Sequence, residues 1–201
     1  MAIPLLKDVP LVPPADLGPF RRKDYEALPD EPRCELIYGR FYVSPSPSLL
    51  HQTVVLVLAS TLRQIARRMR ALVALAPLDV SFFDHSVTQP DVIYVTAARR
   101  QILEARVEGA PDLVVEVLSP GTARRDRGEK LMLYAEGGVR EYWIVDAAER
   151  QIEFLRNDFG EFVVALPEAG IYRSQLFPEI SLDIASFWRE VEEDLTAPAA
   201  D

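Results

Sequence analysis

From Asp112 to Leu118 the chain reads Asp-Leu-Val-Val-Glu-Val-Leu, and no other stretch restricts its fold as strongly. A run this apolar, rich in β-branched residues, describes a strand covered on both faces, as at the centre of a sheet with packed layers on each side. Glu116 stands in its middle. Strand alternation puts it on one face with Asp112, Val114 and Leu118. A lone ionised carboxylate in a core costs several kcal/mol unless it is paired or coordinates a metal. Glu116 is therefore half of a Glu–Arg pair, an edge residue, or part of a site.

The flanking segments mix strands and helices. Cys34 to Tyr38 and Arg40 to Val43 read as strands around Gly39. Leu49 to Arg70 is the strongest helix signal, with Val54, Leu58, Leu62, Ile65 and Met69 on one apolar face. Further strands are expected at Leu72 to Ala76, Asp79 to Phe83, Asp91 to Thr96, Glu141 to Asp146, Gln151 to Arg156 and Glu161 to Ala165. Asp126 to Glu136 reads as a helix with Asp126 as N-cap and Glu129 at the capping-box position, ended by Gly137-Gly138. Ile184 to Leu195 reads as a closing helix. The class is α/β, a mixed central sheet flanked by helices. Residues 1–20 are expected to form an irregular arm, 21–190 one domain, and 191–201 an acidic Ala/Pro tail.

Composition removes several classes. The 201 residues are 49% hydrophobic, too apolar for a disordered chain. A single cysteine, Cys34, excludes a disulfide scaffold and fits a reducing cytoplasm. Phe41 to Leu62 carries no charge, but Pro45, Pro47, His51 and Gln52 interrupt it, so it reads as half loop and half buried helix, and no membrane partner is expected. The net charge of −9 argues against a uniformly basic nucleic-acid footprint. Local basic runs remain at Arg63, Arg67, Arg68 and Arg70, and at Arg124, Arg125, Arg127 and Lys130.

A second carboxylate gives Glu116 a context. Pro90-Asp91 opens the preceding strand, so a hairpin or looped connection brings Asp91 and Glu116 to one end of a sheet. Two carboxylates and a backbone carbonyl, that of Val117, are the hard oxygen donors that Mg²⁺ or Mn²⁺ selects. Lys130 is one of only three lysines and lies early in a helix, where a cation opposes the helix dipole. An ammonium beside a metal orients water or offsets charge on a phosphate. Asp112 reads as a strand-entry residue about 13 Å from Glu116 along the strand. His51 either reaches the site or satisfies a backbone group at the helix start. Tyr142 and Trp143 read as core. Ser119 lacks the Gly-x-Ser-x-Gly elbow of a serine hydrolase.

Asp91, Glu116 and Lys130 together resemble the PD-(D/E)XK nuclease constellation. The position two residues after the second acid, where that pattern carries its lysine, is Leu118, and Lys130 supplies the amine from the following helix. The ordered blocks Glu35-Leu-Ile-Tyr-Gly39, His51-Gln52, Gln89-Pro-Asp-Val92, Gly109 to Pro120, Asp126-x3-Lys130-x3-Tyr134 and Gly138 to Asp146 are similar to the Uma-two family, from about Arg21 to Trp188. The resemblance implies a restriction-endonuclease-like fold and Mg²⁺-dependent nuclease activity. It carries over Asp91, Glu116 and Lys130, with Glu35 as an additional acid.

The expected function is a metal-dependent endonuclease hydrolysing phosphodiester bonds in DNA. Mg²⁺, or Mn²⁺, would sit on Asp91, Glu116 and the Val117 carbonyl, and a homodimer would suit cutting of both strands. A non-catalytic binding or assembly module on the same fold is the alternative. Hydrolysis of a small phosphorylated metabolite is a third reading, better matched to an acidic surface.

Overall fold

A computed structural model describes residues 16–196. Most of the expected N-terminal arm and the last five residues of the expected tail lie outside that range. In chain order the elements are α1 (Arg22–Tyr25), β1 (Cys34–Ile37), β2 (Arg40–Val43), α2 (Leu49–Met69), β3 (Leu72–Leu75), β4 (Val80–Phe83), β5 (Ser86–Thr88) and β6 (Val92–Val95). A 3-10 helix (Ala97–Ile102) leads to β7 (Val107–Glu108), β8 (Leu113–Val117), α3 (Ala123–Asp126) and α4 (Glu129–Gly137). The chain closes with β9 (Glu141–Asp146), β10 (Gln151–Asp158), β11 (Glu161–Val164), β12 (Ile171–Arg173), β13 (Ser181–Asp183) and α5 (Ile184–Thr196). The helix α5 continues past the boundary drawn at residue 190.

Two sheets carry the architecture. One is six-stranded and mixed, in the order β11-β10-β9-β8-β6-β3, with β8 and β9 parallel and the other pairs antiparallel. The other is five-stranded, in the order β2-β1-β5-β4-β7. β12 and β13 form a separate pair.

β8 is the centre. Leu113, Val115 and Val117 face a core shared with Val54, Leu58 and Leu62 of α2 and with Phe187 and Val191 of α5. Val114 faces a second core with Leu133 and Tyr134 of α4 and Ile37 of β1. All five positions of β8, Glu116 included, are at most 4% exposed. Burying an aliphatic side chain contributes roughly 1.5–3 kcal/mol, so this double burial accounts for the apolar run. α2 is long and apolar enough to cross a bilayer, yet its apolar side packs here against β6, β8 and α5.

Local signals set the chain around this centre. Ser48 caps α2 by accepting the His51 N–H at 3.2 Å. Tyr38 and Gly39 turn β1 into β2 with φ of 48° and 73°, as a two-residue type I′ hairpin requires. A Cβ on Gly39 would lie 2.3 Å from the Gly18 carbonyl oxygen, so only glycine fits. Asp126 is not the N-cap of the following helix: α3 ends at Asp126, Gly128 breaks the chain, and α4 begins at Glu129. The Asp126 side chain is buried and turned to another use. The shortest strands, β5, β7, β12 and β13, have too few residues to show a period.

Candidate active site

The register of β6 on β8, Val92↔Val115 and Ile93↔Val114, continues by one residue to set Asp91 against Glu116. Asp91 anchors itself there: its Oδ2 accepts the Val117 N–H at 2.8 Å. Glu116 points to the α4 side of the sheet, where Lys130 Nζ meets its Oε1 at 2.9 Å. The same ammonium lies 2.9 Å from Glu35 Oε1, on β1, and 3.6 Å from Asp126 Oδ1. Glu35 Oε1 also accepts the main-chain N–H of Gln89 at 2.8 Å. Thus Asp91, Glu116, Glu35 and Lys130, far apart in sequence, line one cavity of about 100 Å³ with Asp126 and His51.

Three further groups join them. His51 Nε2 stands 3.2 Å from Asp91 Oδ2, so this helix-start histidine reaches the site rather than a backbone group of its own turn. Tyr134 Oη donates to Glu116 Oε1 at 2.6 Å. Asp126 completes the ring around Lys130. Asp126, Lys130 and Tyr134 recur every four residues; that spacing was the signal for Asp126, which the sequence reading made an N-cap, and for Tyr134, which it gave no role. Arg125 stacks over the Tyr42 ring at 4.2 Å and approaches Glu35 at 3.8 Å.

Other polar candidates belong elsewhere. Asp112 is fully buried and occupied by the Thr96 N–H and hydroxyl, Arg99 and Arg140. Tyr142 and Trp143 are core residues. Cys34 is half-buried, and its thiol donates to the Pro32 carbonyl.

The electrostatics follow from crowding. The side chains of Glu35, Glu116, Asp126 and Lys130 are each at most 5% exposed. Burial pushes the Glu116 carboxyl well above its usual range; Lys130 opposes this, and Asp126, Asp91 and Glu35 add to it. Asp126 is raised for the same first reason, again against Lys130. Burial alone would lower Lys130, but Glu116, Glu35 and Asp126 outweigh it and hold the ammonium charged. Tyr134 is raised by burial and by Glu116, so it remains a neutral donor. Burial lowers His51, while Asp91 and the Val117 carbonyl more than offset it.

The donor set fits a small hard cation. Asp91 Oδ1 and Glu116 Oε2 make no hydrogen bond among the described residues, and neither is sealed from solvent. Four carboxylates face three guanidinium or ammonium groups, Lys130, Arg125 and Arg33, so the cavity keeps a negative charge when all four are ionised and His51 is neutral. Among the described residues no three His, Cys, Asp or Glu side chains form a ready ligand cage. Two carboxylates and a carbonyl are the sparse protein share that Mg²⁺ accepts, the rest being water and substrate oxygen.

Known proteins resemble this chain in sequence and in fold. A family model, Uma2, described as "Putative restriction endonuclease", matches residues 22–185. An uncharacterized protein of Synechocystis sp. (strain ATCC 27184 / PCC 6803 / Kazusa), slr1290, is 38% identical over 79 residues, which is 38% of this chain. The match spans 41% of that curated relative's length. The crystal structure of a "putative nuclease belonging to DUF820" from Anabaena variabilis ATCC 29413 superposes with a TM-score of 0.71 at 22% identity, over 86% of this chain and 99% of that one. At that identity the likeness is one of fold.

Proposed function

The chain belongs to the Uma2 family, and on that premise we propose that it is a divalent-metal-dependent endonuclease that hydrolyses phosphodiester bonds in DNA. The observation that carries this reading is the Glu116–Lys130–Glu35 contact beside Asp91, a buried charge cluster that opens on a cavity. Asp91, Glu116 and the Val117 carbonyl would hold Mg²⁺ or Mn²⁺. When bound, such an ion polarises a phosphoryl oxygen and acidifies water.

The chain's own residues supply the rest. Lys130 is held between Glu116 and Glu35, so its ammonium is fixed before substrate arrives and offsets charge developing on the phosphate. Tyr134 and Lys130 both contact Oε1 of Glu116, which fixes the rotamer of that carboxylate and leaves Oε2 for the ion. His51 orients Asp91 through Oδ2 and leaves Oδ1 open. Glu35 positions Lys130 and ties it to the Gln89 segment.

The surface offers a path for the phosphate backbone. Along α2 the exposed residues Gln52, Leu56, Arg63 and Arg67 recur at four- and seven-residue steps and form one stripe, and Arg70 follows as the C-cap of the helix. Gln52 lines the cavity, so the stripe starts at the site. At 1.5 Å per residue the arginines lie roughly 16–27 Å along the helix from Gln52, about five to eight base pairs of duplex. Arg63, Arg67, Arg68 and Arg70 make no ion pair with the described residues.

The test is nicking of supercoiled plasmid by purified protein in Mg²⁺ or Mn²⁺. Cleavage abolished by EDTA and by Glu116→Gln supports the reading; intact plasmid at high protein and either metal sinks it. The close pairing of Lys130 with both glutamates favours one other reading, a non-catalytic module in which the cluster is structural. That reading takes over if DNA is bound and never cut.

A further inference from the structure

A second cavity, of about 500 Å³, adjoins the acidic one. Arg33 and Gln89 line both. Gln89 connects them mechanically: its main-chain N–H is fixed to Glu35 in the site, while its side-chain amide donates into the second cavity, to Asp79 Oδ1 at 2.9 Å and to Tyr25 Oη at 3.3 Å. Tyr25 donates to the same Asp79 oxygen at 2.7 Å.

These bonds leave a defined set of open groups. Asp79 Oδ2 makes no hydrogen bond among the described residues. The Gln89 amide hydrogens are committed, so its carbonyl oxygen remains as an acceptor. One wall therefore presents two acceptors held by a rigid three-residue cluster. At the junction of the cavities stands Arg33, half-buried, with no ion pair and no side-chain hydrogen bond among the described residues. The other guanidinium on this cavity, Arg106, is tied to Glu26 at 2.8 Å and to Glu108 at 3.4 Å.

An untied cation between two cavities suits an anion that spans them, and a planar fork suits phosphate. Two acceptors whose neighbouring Tyr25 and Gln89 donors are already committed suit an amino group. The volume lies within the roughly 300–1,000 Å³ of small-ligand sites. We propose that this cavity holds the nucleotide next to the scissile phosphate: Arg33 takes its phosphate, and Asp79 Oδ2 and the Gln89 carbonyl accept the amino group of its base. The inference rests on the nuclease reading of the acidic cavity and adds a preference to it. Adenine, cytosine and guanine carry such an amino group. Thymine carries none; its one edge donor, the N3–H, is flanked by two carbonyl oxygens, and these meet the wall acceptor against acceptor.

The experiment is calorimetric titration of the purified protein with dAMP, dCMP, dGMP, TMP and inorganic phosphate, each separately. At least one amino-bearing nucleotide should bind about tenfold more tightly than TMP and than phosphate. Asp79→Asn keeps the shape and replaces Oδ2 by a donor; it should erase the preference over TMP and leave phosphate binding unchanged. Arg33→Ala, at a side chain without partners, should weaken all five probes by about tenfold without changing the order. Equal binding of TMP, a preference that survives Asp79→Asn, or no nucleotide binding at millimolar concentration overturns the proposal. Plasmid nicking that depends on Glu116, together with any of those three results, sinks the pocket and leaves the nuclease reading standing. The expected nucleotide preference in a protein that never cuts plasmid sinks the nuclease reading and leaves the pocket.

Discussion

Lys130→Met tests whether the charge cluster is as tightly balanced as its geometry implies. The substitution keeps the length of the stem and removes the ammonium. Glu35, Glu116 and Asp126, each with a side chain at most 5% exposed, then lose the cation they surround. Breaking a buried ion pair from one side costs about 3–5 kcal/mol. In a domain of this size 1 kcal/mol moves Tm by about 2–4 °C, so melting should fall by about 6–20 °C at pH 8. The loss should depend on pH. Without Lys130, Glu116 and Asp126, which burial already raises in its presence, lie further above their unfolded values. Their contribution is therefore present at low pH and lost as pH rises through the folded values. The gap between variant and wild type should narrow at pH 5, where the carboxylates take up protons. Circular dichroism melts at pH 5 and pH 8 measure both effects. A variant melting within about 2 °C of wild type at pH 8, or a gap that widens on acidification, refutes the balance described above. In a nicking assay below its melting point the same variant should lose about 10²–10³ in rate.

Glu116→Gln removes the carboxyl whose pKa burial raises, and Gln Oε1 still accepts from Lys130 and Tyr134. Wild-type stability should decline as pH rises through the raised Glu116 value, and this decline should be smaller in the variant; identical pH profiles would count against Glu116 as the strained group. Millimolar Mn²⁺ should stabilise wild type by up to about 2.7 kcal/mol at a hundredfold excess over Kd, read as a rise in melting temperature that EDTA reverses, with little response in Glu116→Gln. Glu141 is buried and accepts from Trp143, Tyr172 and Ser174, so Glu141→Ala leaves three donors without a partner and should cost about 3–5 kcal/mol. Its nicking rate per folded molecule should match wild type, since Glu141 does not line the acidic cavity.

What the sequence reveals depends on contrast. Glu116 is visible because every neighbour in its strand is apolar, and Asp91 because it opens a strand. Val117 followed from them, since the carbonyl beside a strand-end acid needs no side-chain signal. Asp126 and Tyr134 lie on short helices with several polar residues, and His51 lies in the polar first turn of α2 beside Gln52 and Thr53, where one more polar side chain carries no weight alone. Asp126 misled more actively: its spacing to Glu129 matches a capping box, and only the break at Gly128 frees its side chain for Lys130. The second sheet was half legible. β1, β2 and β4 have four residues each and show as short runs rich in apolar and aromatic side chains, whereas β5 and β7, which complete it, have three and two. The spatial partnership of Glu35 and Lys130 had no local trace, because it is made by α4 packing on β1.

The two faces of β8 also act as an error check on folding. Side chains alternate along a strand, so a slip of one residue against β6 or β9 exchanges the faces completely. Glu116 would then enter the layer of Leu58, Leu62 and Trp143, where no cation stands among the described residues, and Val115 or Val117 would meet Lys130 and its ring of carboxylates. Either misplacement is costly by itself. A purely apolar β8 would tolerate the slip, since valine and leucine suit both layers. One carboxylate thus makes the central strand proofread its own register.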